Sequence, residues 1–429
     1  MNHRYTFMTL LLALVANLCF AQAPKCHTDE ANQILLNRDP SLRNQYMVHE
    51  QTVREWIRNN RSNANRTTGS VVTIPVVFHI VYKNNTQNIA DSNITRQVDI
   101  LNESYRLQNS NFSQTRPIFD TIAADVEVEF CLASVDPSGN PTTGITRTQA
   151  PSGSFFDPLL GFDNVKRAAN GGKDPWPTDQ YLNIWICDMS FFGITAVLGY
   201  AQFPGGDPLT DGVVIQYQFT GFMPNNTTSD LGKTAVHEVG HWLGLRHIWG
   251  DGQGSSTLCD STDYVDDTPN ADTASQQTCL IKNSCSNESA YWTSIGIDPP
   301  DMMENYMDYS YDACMTMFTL GQKDRMLGFL NTLRASLLNS PGCGNTAIPS
   351  LESSAPVVYP NPTSHSIGID RLNSTPIKIE IFDLSGKIYA AMDAKGVETI
   401  PVEHLTSGNY ILRVIFENGV SKSIRFVKK

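Results

Sequence analysis

The sequence predicts a mixed α/β domain, a sheet followed by one chemically loaded helix, and after it a small all-β sandwich. Three observations carry this reading. β-Branched runs such as Val71–Tyr82 and Leu182–Cys187 alternate with amphipathic helical stretches through most of the chain. The stretch from His237 to His247, HEVGHWLGLRH, places three histidines and a glutamate at a repeating spacing. Beyond about Ser350 the helical patterns stop, and short strands punctuated by Gly386 and Gly408 take over.

The spacing in HEVGHWLGLRH decides the chemistry. At ~3.6 residues per turn, His237 and His241 share one helix face and can grip one metal ion. Glu238 is rotated by roughly 100° from His237, poorly placed as a ligand and well placed to touch a water on the metal. A continued helix would turn His247 away by about 240°, so the chain must leave the helix before it. Gly244 can do so, because glycine takes left-handed backbone angles without steric cost. Three neutral imidazoles with one open position are the ligand set of a catalytic zinc site. A buried helix with incidental histidines is the alternative, and it leaves charge on an apolar helix without a partner.

Composition bounds the rest. The chain has 429 residues, 41% hydrophobic and 17% charged, which suits more than one folded domain and excludes a disordered chain. Its formal net charge of -12 disfavours nucleic acid as a partner. The long apolar run, Phe7–Phe20, follows Arg4 and precedes Ala21-Gln22-Ala23. It is too short for a comfortable membrane span and reads as a secretory signal peptide over residues 1–21. A lipoprotein site at Cys19 is the rival, weakened by Asn17 and Leu18 where small residues are wanted. Export brings the remaining eight of nine cysteines into an oxidising compartment, where disulfides are allowed.

Residues 22–66 read as a pro-segment. They hold Cys26, helical stretches at Ala31–Leu36 and Asn44–Ile57, and a basic polar run from Arg58 through Arg61 to Arg66 that suits a cleavable linker. A Cys26 thiolate could fill the open position on zinc until removed, with Asp29 or Asp39 the next candidates. A disulfide role is the alternative, and a free Cys26 leaves an odd number of partners. The main domain, residues 67–347, begins with Val71–Tyr82. A helix follows at Ile94–Leu107, then strands at Val126–Leu132, Leu182–Cys187, Gly199–Phe203 and Gly212–Tyr217, the metal helix from about Ser229, and a last helix at Thr319–Leu338. His27 and His79 lack ligand spacing and read as structural. The segment from Asp251 to Pro300 reads as a long irregular loop that needs ties. Cys259, Cys279, Cys285 and Cys314 can pair there, and Asp260–Pro269 offers hard oxygen ligands of the kind calcium takes, unless it is only a solvated acidic loop.

The motif is the long H-E-x-x-H-x-x-G-x-x-H form of metzincins, whose second mark is a methionine turn under the histidines. Met302–Ser310 supplies it, with Met307 preferred over Met303. Tyr309 then sits at the cleft, able to hydrogen-bond a tetrahedral intermediate, unless it is a buried structural tyrosine. HEVGHWLGLRH with the following IWGD, DYVDDTP, NYMDYSYDACM and, upstream, LNIWICD, GYAQFPGG and DGVVI resemble the pappalysin family of metzincin metallopeptidases. The resemblance covers roughly Val71–Leu338. It implies a metzincin-type fold, zinc on His237, His241 and His247, Glu238 as general base, Met307 in the turn and Tyr309 on the substrate. It also implies disulfides Cys259–Cys285 and Cys279–Cys314, and calcium near Asp263, Asp266 and Thr268.

Residues 348–429 carry five expected strands, at Ile377–Phe382, Lys387–Ala391, Thr399–Val402, Tyr410–Ile415 and Ser421–Val427, with no catalytic constellation. The opening YPNPT and the ending GNYILRV…FVKK resemble the sorting domain of type IX secretion cargo. That implies secretion machinery as a partner and a secreted or cell-surface destination; a carbohydrate- or protein-binding module is the rival. The expected function is a secreted zinc endopeptidase acting on proteins or peptides. A zinc amidase acting on cell-wall peptides and a non-catalytic adhesin on the same fold are the alternatives.

Overall fold

The structure is a computed structural model, described here for residues 25–61, 71–158, 161–190, 195, 197–223, 228–250, 258–276, 278–343, 357–370, 376–383, 387–394, 399–416 and 421–429. The signal peptide and Arg66 lie outside these residues, whereas Arg58 and Arg61, expected in the linker, belong to a helix, Leu42–Arg61. The chain divides into two compact units, Met1–Gly344 and Asn345–Lys429. Among the described residues no helix is long and apolar enough to cross a membrane.

The first unit opens with two helices, α1 (Thr28–Arg38) and α2 (Leu42–Arg61). Its sheet begins at β1 (Val72–Tyr82), buried over eight consecutive residues because both faces are covered. Ile74, Val76, Phe78 and Ile80 face the main core, while Val77 and Val81 join clusters on the other side. One edge of β1 takes β2 (Val128–Leu132) and then β3 (Ile145–Gln149), both parallel. The other edge takes β4 (Leu182–Cys187), then β6 (Val213–Gln216), both parallel, and β5 (Gly199–Ala201) closes the sheet antiparallel to β6. The strand expected at Gly199–Phe203 is therefore an edge of the sheet, with the ladder ending at Ala201. Helix α3 (Asp91–Tyr105) brings Tyr105 beneath α4 (Lys233–Trp242), where its hydroxyl donates to the Val236 carbonyl at 3.1 Å.

His79 is structural, as expected. It is fully buried between the Thr146 hydroxyl and the Asn183 amide oxygen, at 2.7 and 2.9 Å, and burial drives its pKa down to about 4. The strand β3 has no counterpart in the sequence reading, because Ile-Thr-Arg-Thr-Gln is short and half exposed.

The segment after the motif is mostly irregular where described, broken by the short helix α5 (Ala290–Ile295). Cys259–Cys285 and Cys279–Cys314 tie it, as the resemblance implied. Cys131–Cys343 is a third bridge and joins the end of β2 to the end of the unit. Cys26 and Cys187 are buried and free, so the odd cysteine has its partner in a second unpaired one.

The last helix is shorter than the periodicity suggested. α6 spans Leu320–Asn331, opened by a capping box between Thr319 and Gln322, and a 3-10 turn follows at Ala335–Asn339. The chain turns at Arg334, whose guanidinium is drawn inward: it grips Asp211 at 2.7 and 2.8 Å, donates to the Trp242 carbonyl and stacks 3.9 Å over the Trp242 ring. An aromatic at the end of α4 thereby fixes where α6 stops.

The second unit is a sandwich. A four-stranded sheet, β10 (Ile388–Asp393), β9 (Pro376–Asp383), β12 (Gly408–Phe416) and β13 (Ser421–Lys428), accompanies a three-stranded one, β11 (Ile400–Pro401), β8 (Ser366–Asp370) and β7 (Val357–Tyr359). Val358, Ile367, Ile381, Leu412, Val414 and Phe426 share its core. The five expected strands are present; β7 and β8 were not among them.

Replacing Cys131 and Cys343 together by serine should cost the first unit about 2–5 kcal/mol of stability, because the bridge closes a loop of 212 residues in the unfolded chain. Thermal unfolding followed by circular dichroism under oxidising conditions checks this, and an unchanged midpoint contradicts it.

Candidate active site

Helix α4 carries His237, Glu238 and His241, all completely buried. It ends at Trp242, and Gly244 takes φ +89°. A Cβ there would lie 2.1 Å from the Phe329 ring, so both conformation and packing require glycine. The turn returns His247 to the other two. The three Nε2 atoms stand 3.1, 3.1 and 3.3 Å apart. Ligands of a tetrahedral zinc ion at about 2.0–2.1 Å lie about 3.3 Å from one another, so the residues fit that ion. The Cys26 sulfur joins them: all four ligand atoms lie within 4.8 Å of each other.

Each imidazole is oriented through its other nitrogen. Nδ1 of His237 faces the Tyr306 carbonyl at 2.7 Å, that of His241 the Leu245 carbonyl at 2.8 Å, and that of His247 the Asp29 carboxylate at 2.9 Å. These acceptors turn the three Nε2 lone pairs inward. Burial, reinforced by the neighbouring imidazoles, pushes the pKa of His237 well down and that of His241 to about 3, which keeps these two rings neutral and free to bind a cation. Asp29 falls to about 2, because the neighbouring His247 outweighs the rise that burial alone would cause. It is a partner of a ligand rather than the blocking ligand considered as an alternative to Cys26. Asp39 caps the end of α1 and bonds Ser41, away from the histidines.

Met307 is fully buried beneath the helix. A Cβ on Gly240 would approach its sulfur to 2.6 Å, so the glycine inside the motif makes room for the methionine. Tyr309 packs its ring 5.6 Å from His237 and 5.0 Å from His247, against Trp249. Trp249 itself stacks on His247 at 4.4 Å, a contact the sequence did not reveal although the IWGD segment contains it. Burial pushes the Tyr309 phenol well up, so it stays a donor.

The N-terminal segment lies across this site. His27 donates its backbone N–H to the Gly199 carbonyl at 3.0 Å, and Cys26 bridges Gly199 in the parallel sense. The Thr28 hydroxyl donates to Glu238 Oε2 at 2.9 Å and accepts from the Ala201 N–H at 2.9 Å. Cys26 Sγ is 3.4 Å from the same carboxylate oxygen, and Tyr309 donates to the Cys26 carbonyl at 3.3 Å. Lys25 is 1% exposed, its ammonium bonded to Asp312 at 2.9 Å and the Ser310 carbonyl at 3.0 Å. Burial pushes the Glu238 carboxyl up to about 8, against the pull of Cys26 and Thr28, and its Oε1 is buried without a hydrogen-bond partner. A carboxylate oxygen so placed beside a ligand set is what a group arriving with the metal would satisfy.

The calcium expectation is not supported. Asp263 commits its carboxylate to the Thr268 hydroxyl at 2.8 Å and the Val265 N–H at 3.0 Å, and Asp266 is exposed. Asp267 caps α6, receiving Thr319 at 2.6 Å and Gly321 at 2.7 Å. Among the described residues, the group at His237 is the one place where three or more His, Cys, Asp or Glu ligand atoms gather.

Three buried, inward-facing imidazoles, two on a helix beside a sheet edge and one on the turn after it, are the site of a metalloprotease, and comparison with known proteins agrees. Residues 167–331 match the family model described as pregnancy-associated plasma protein-A, and residues 357–429 match a secretion system C-terminal sorting domain. An extracellular metalloprotease of Arthroderma gypseum is 30% identical over 281 residues, 64% of this chain and 78% of the relative. One of Colletotrichum graminicola is 30% identical over 67% of this chain and 89% of its own length. Among solved structures, a variant of Tannerella forsythia promirolysin matches with a TM-score of 0.62 and 37% identity, over 73% of this chain and 97% of its own. Mature mirolysin in complex with a cleaved peptide matches at 0.56 and 42%, over 63% and 97%. The chain belongs to the pappalysin family of metalloproteases, and its sorting tail and extracellular relatives mark it as secreted.

Gly244→Ala should abolish binding of a metal by the soluble protein, since the Cβ meets Phe329 and the backbone resists φ +89°. Metal content by mass spectrometry checks this, and a full equivalent of zinc in the variant contradicts it.

Proposed function

We propose that the protein is a zinc endopeptidase exported as a latent precursor, with Cys26 as the fourth ligand that blocks its own site. The observation that carries the proposal is the convergence of Cys26 Sγ with three histidine nitrogens next to Glu238. Burial and the Glu238 carboxylate push the Cys26 thiol well up, so a thiolate at this position needs a cation beside it. His237, His241 and His247 would hold the ion.

Zinc, when bound, supplies Lewis acidity that polarises the scissile carbonyl and acidifies a water. Glu238 takes a proton from the attacking water and delivers it to the leaving amine. The Tyr309 hydroxyl donates to the carbonyl oxygen as charge develops there. In the precursor both groups are engaged by the N-terminal segment, Glu238 through Thr28 and Tyr309 through the Cys26 carbonyl. The Lys25 site supports a substrate preference as well: a buried Asp312 with a backbone carbonyl suits a lysine or arginine next to the scissile bond. Residues 22–66 are the pro-segment on this reading, residues 67–347 the protease, and residues 348–429 the export domain. The calcium reading near Asp263, Asp266 and Thr268 has no such support and is not pursued.

Glu238→Ala should keep zinc and lose casein cleavage; turnover within tenfold of the parent protein contradicts the assigned base. Tyr309→Phe should lower kcat by about 10- to 100-fold, the loss of one oxyanion donor. Cys26→Ala should shorten the latency of the precursor, read as the lag before casein cleavage begins; an unchanged lag contradicts the fourth-ligand role. Deleting residues 350–429 should leave an active protease that the native host fails to release into the medium, and release of the truncated chain contradicts the sorting role.

A further inference from the structure

Glu50 on α2 and Arg325 on α6 form a second anchor between the N-terminal segment and the rest of the unit. Both guanidinium nitrogens reach the carboxylate at 2.8 Å, and Arg325 is 2% exposed. The fork is rigid: its Nε donates to the Gly244 carbonyl at 2.8 Å, and its face lies over Tyr264 and Phe329 at 5.2 and 5.1 Å. Arg246 lies over the same Tyr264 ring at 4.9 Å, as does Arg54 of α2 itself at 4.6 Å, so two guanidinium groups from outside the segment converge there. The surrounding fit is poor. Asn32, Tyr46 and His49 line a cavity of about 30 Å³ with Arg246 and Arg325, and the Asn32 Oδ1, the Tyr46 hydroxyl and His49 Nδ1 are buried without partners. The carboxylate is the group of the segment that matches this notch.

The notch borders the cleft. Arg246 lies 5.7 Å from the Phe203 ring, and Phe203 lies 5.5 Å from the His241 ring. Three or four residues of extended peptide, at about 3.3 Å each, span those two steps. Lys25 stands at the start of the β5 edge and Phe203 beyond its end, so the notch and the Lys25 pocket lie on opposite sides of the histidines.

We propose that the Arg325–Arg246 notch, vacated by Glu50, is a substrate subsite for a carboxylate, an aspartate or glutamate three or four residues from the scissile bond on the side away from the Lys25 pocket. It rests on the reading of residues 22–66 as a removable pro-segment. Bidentate guanidinium geometry selects a carboxylate over an amide, because an uncharged amide offers one acceptor where the fork needs two.

The test uses the zinc-loaded full chain, cut in its basic linker by limited trypsin, and paired peptides that carry glutamate or glutamine at that position. The glutamate peptide should be cleaved with about 10- to 100-fold higher kcat/KM, the range of a hydrogen bond to a charged group. Calorimetry on the Glu238→Ala chain, cut in the same way, should show the same ratio in Kd. Arg246→Gln and, separately, Arg325→Lys should bring both ratios toward one. Equal handling of the two peptides by the parent enzyme overturns the subsite while leaving the protease reading intact. A glutamate preference that survives both substitutions overturns its placement at this notch. Cleavage of neither peptide defeats the protease reading itself, and the subsite with it.

Discussion

Everything in the first unit answers to one requirement: three imidazole nitrogens must point at a single spot about 3 Å from each other while completely buried. Rings crowded together in an apolar interior are held there by acceptors on their outer nitrogens, two of them backbone carbonyls. Those carbonyls come from Tyr306 and Leu245, so the turn carrying Met307 and the turn after Gly244 are fixed by the same demand. Gly240 and Phe329 then follow as the shapes that let those turns close against α4.

The third outer acceptor, Asp29, belongs to the N-terminal segment. The segment thus completes the orientation of His247 while it occupies the cleft, and its removal would leave that nitrogen to water. Its charged anchors, Lys25 on Asp312 and Glu50 on Arg325, are buried pairs at opposite ends of the contact. Breaking one partner of a buried pair is costly, whereas separating both into water returns their hydration.

The site was legible because metal binding needs a spacing that helical geometry makes conspicuous. His237, Glu238, His241, Gly244 and His247 sit within eleven residues, and Met307 and Tyr309 follow from the motif they share with a family. The strands β1 and β4 were legible because both faces are buried and the sequence is continuously β-branched or apolar. What escaped depends on partners far away in the chain. The end of α6 is set by Arg334 reaching Trp242 and Asp211, which no local periodicity records. Asp29 behind His247 and Glu50 on Arg325 are likewise contacts across long separations. The acidic loop misled for the converse reason: Asp263 and Asp267 look like hard-cation ligands in sequence, yet the fold spends them on hydroxyls and N–H groups.

The bridge between Cys131 and Cys343 encloses β3 to β6, the histidine-bearing helix and α6, with its second sulfur at the unit's last described residue. A chain delivered N-terminus first cannot close it until that final residue has crossed into the oxidising side. Covalent closure of this loop therefore follows the arrival of every residue from Cys131 to Cys343.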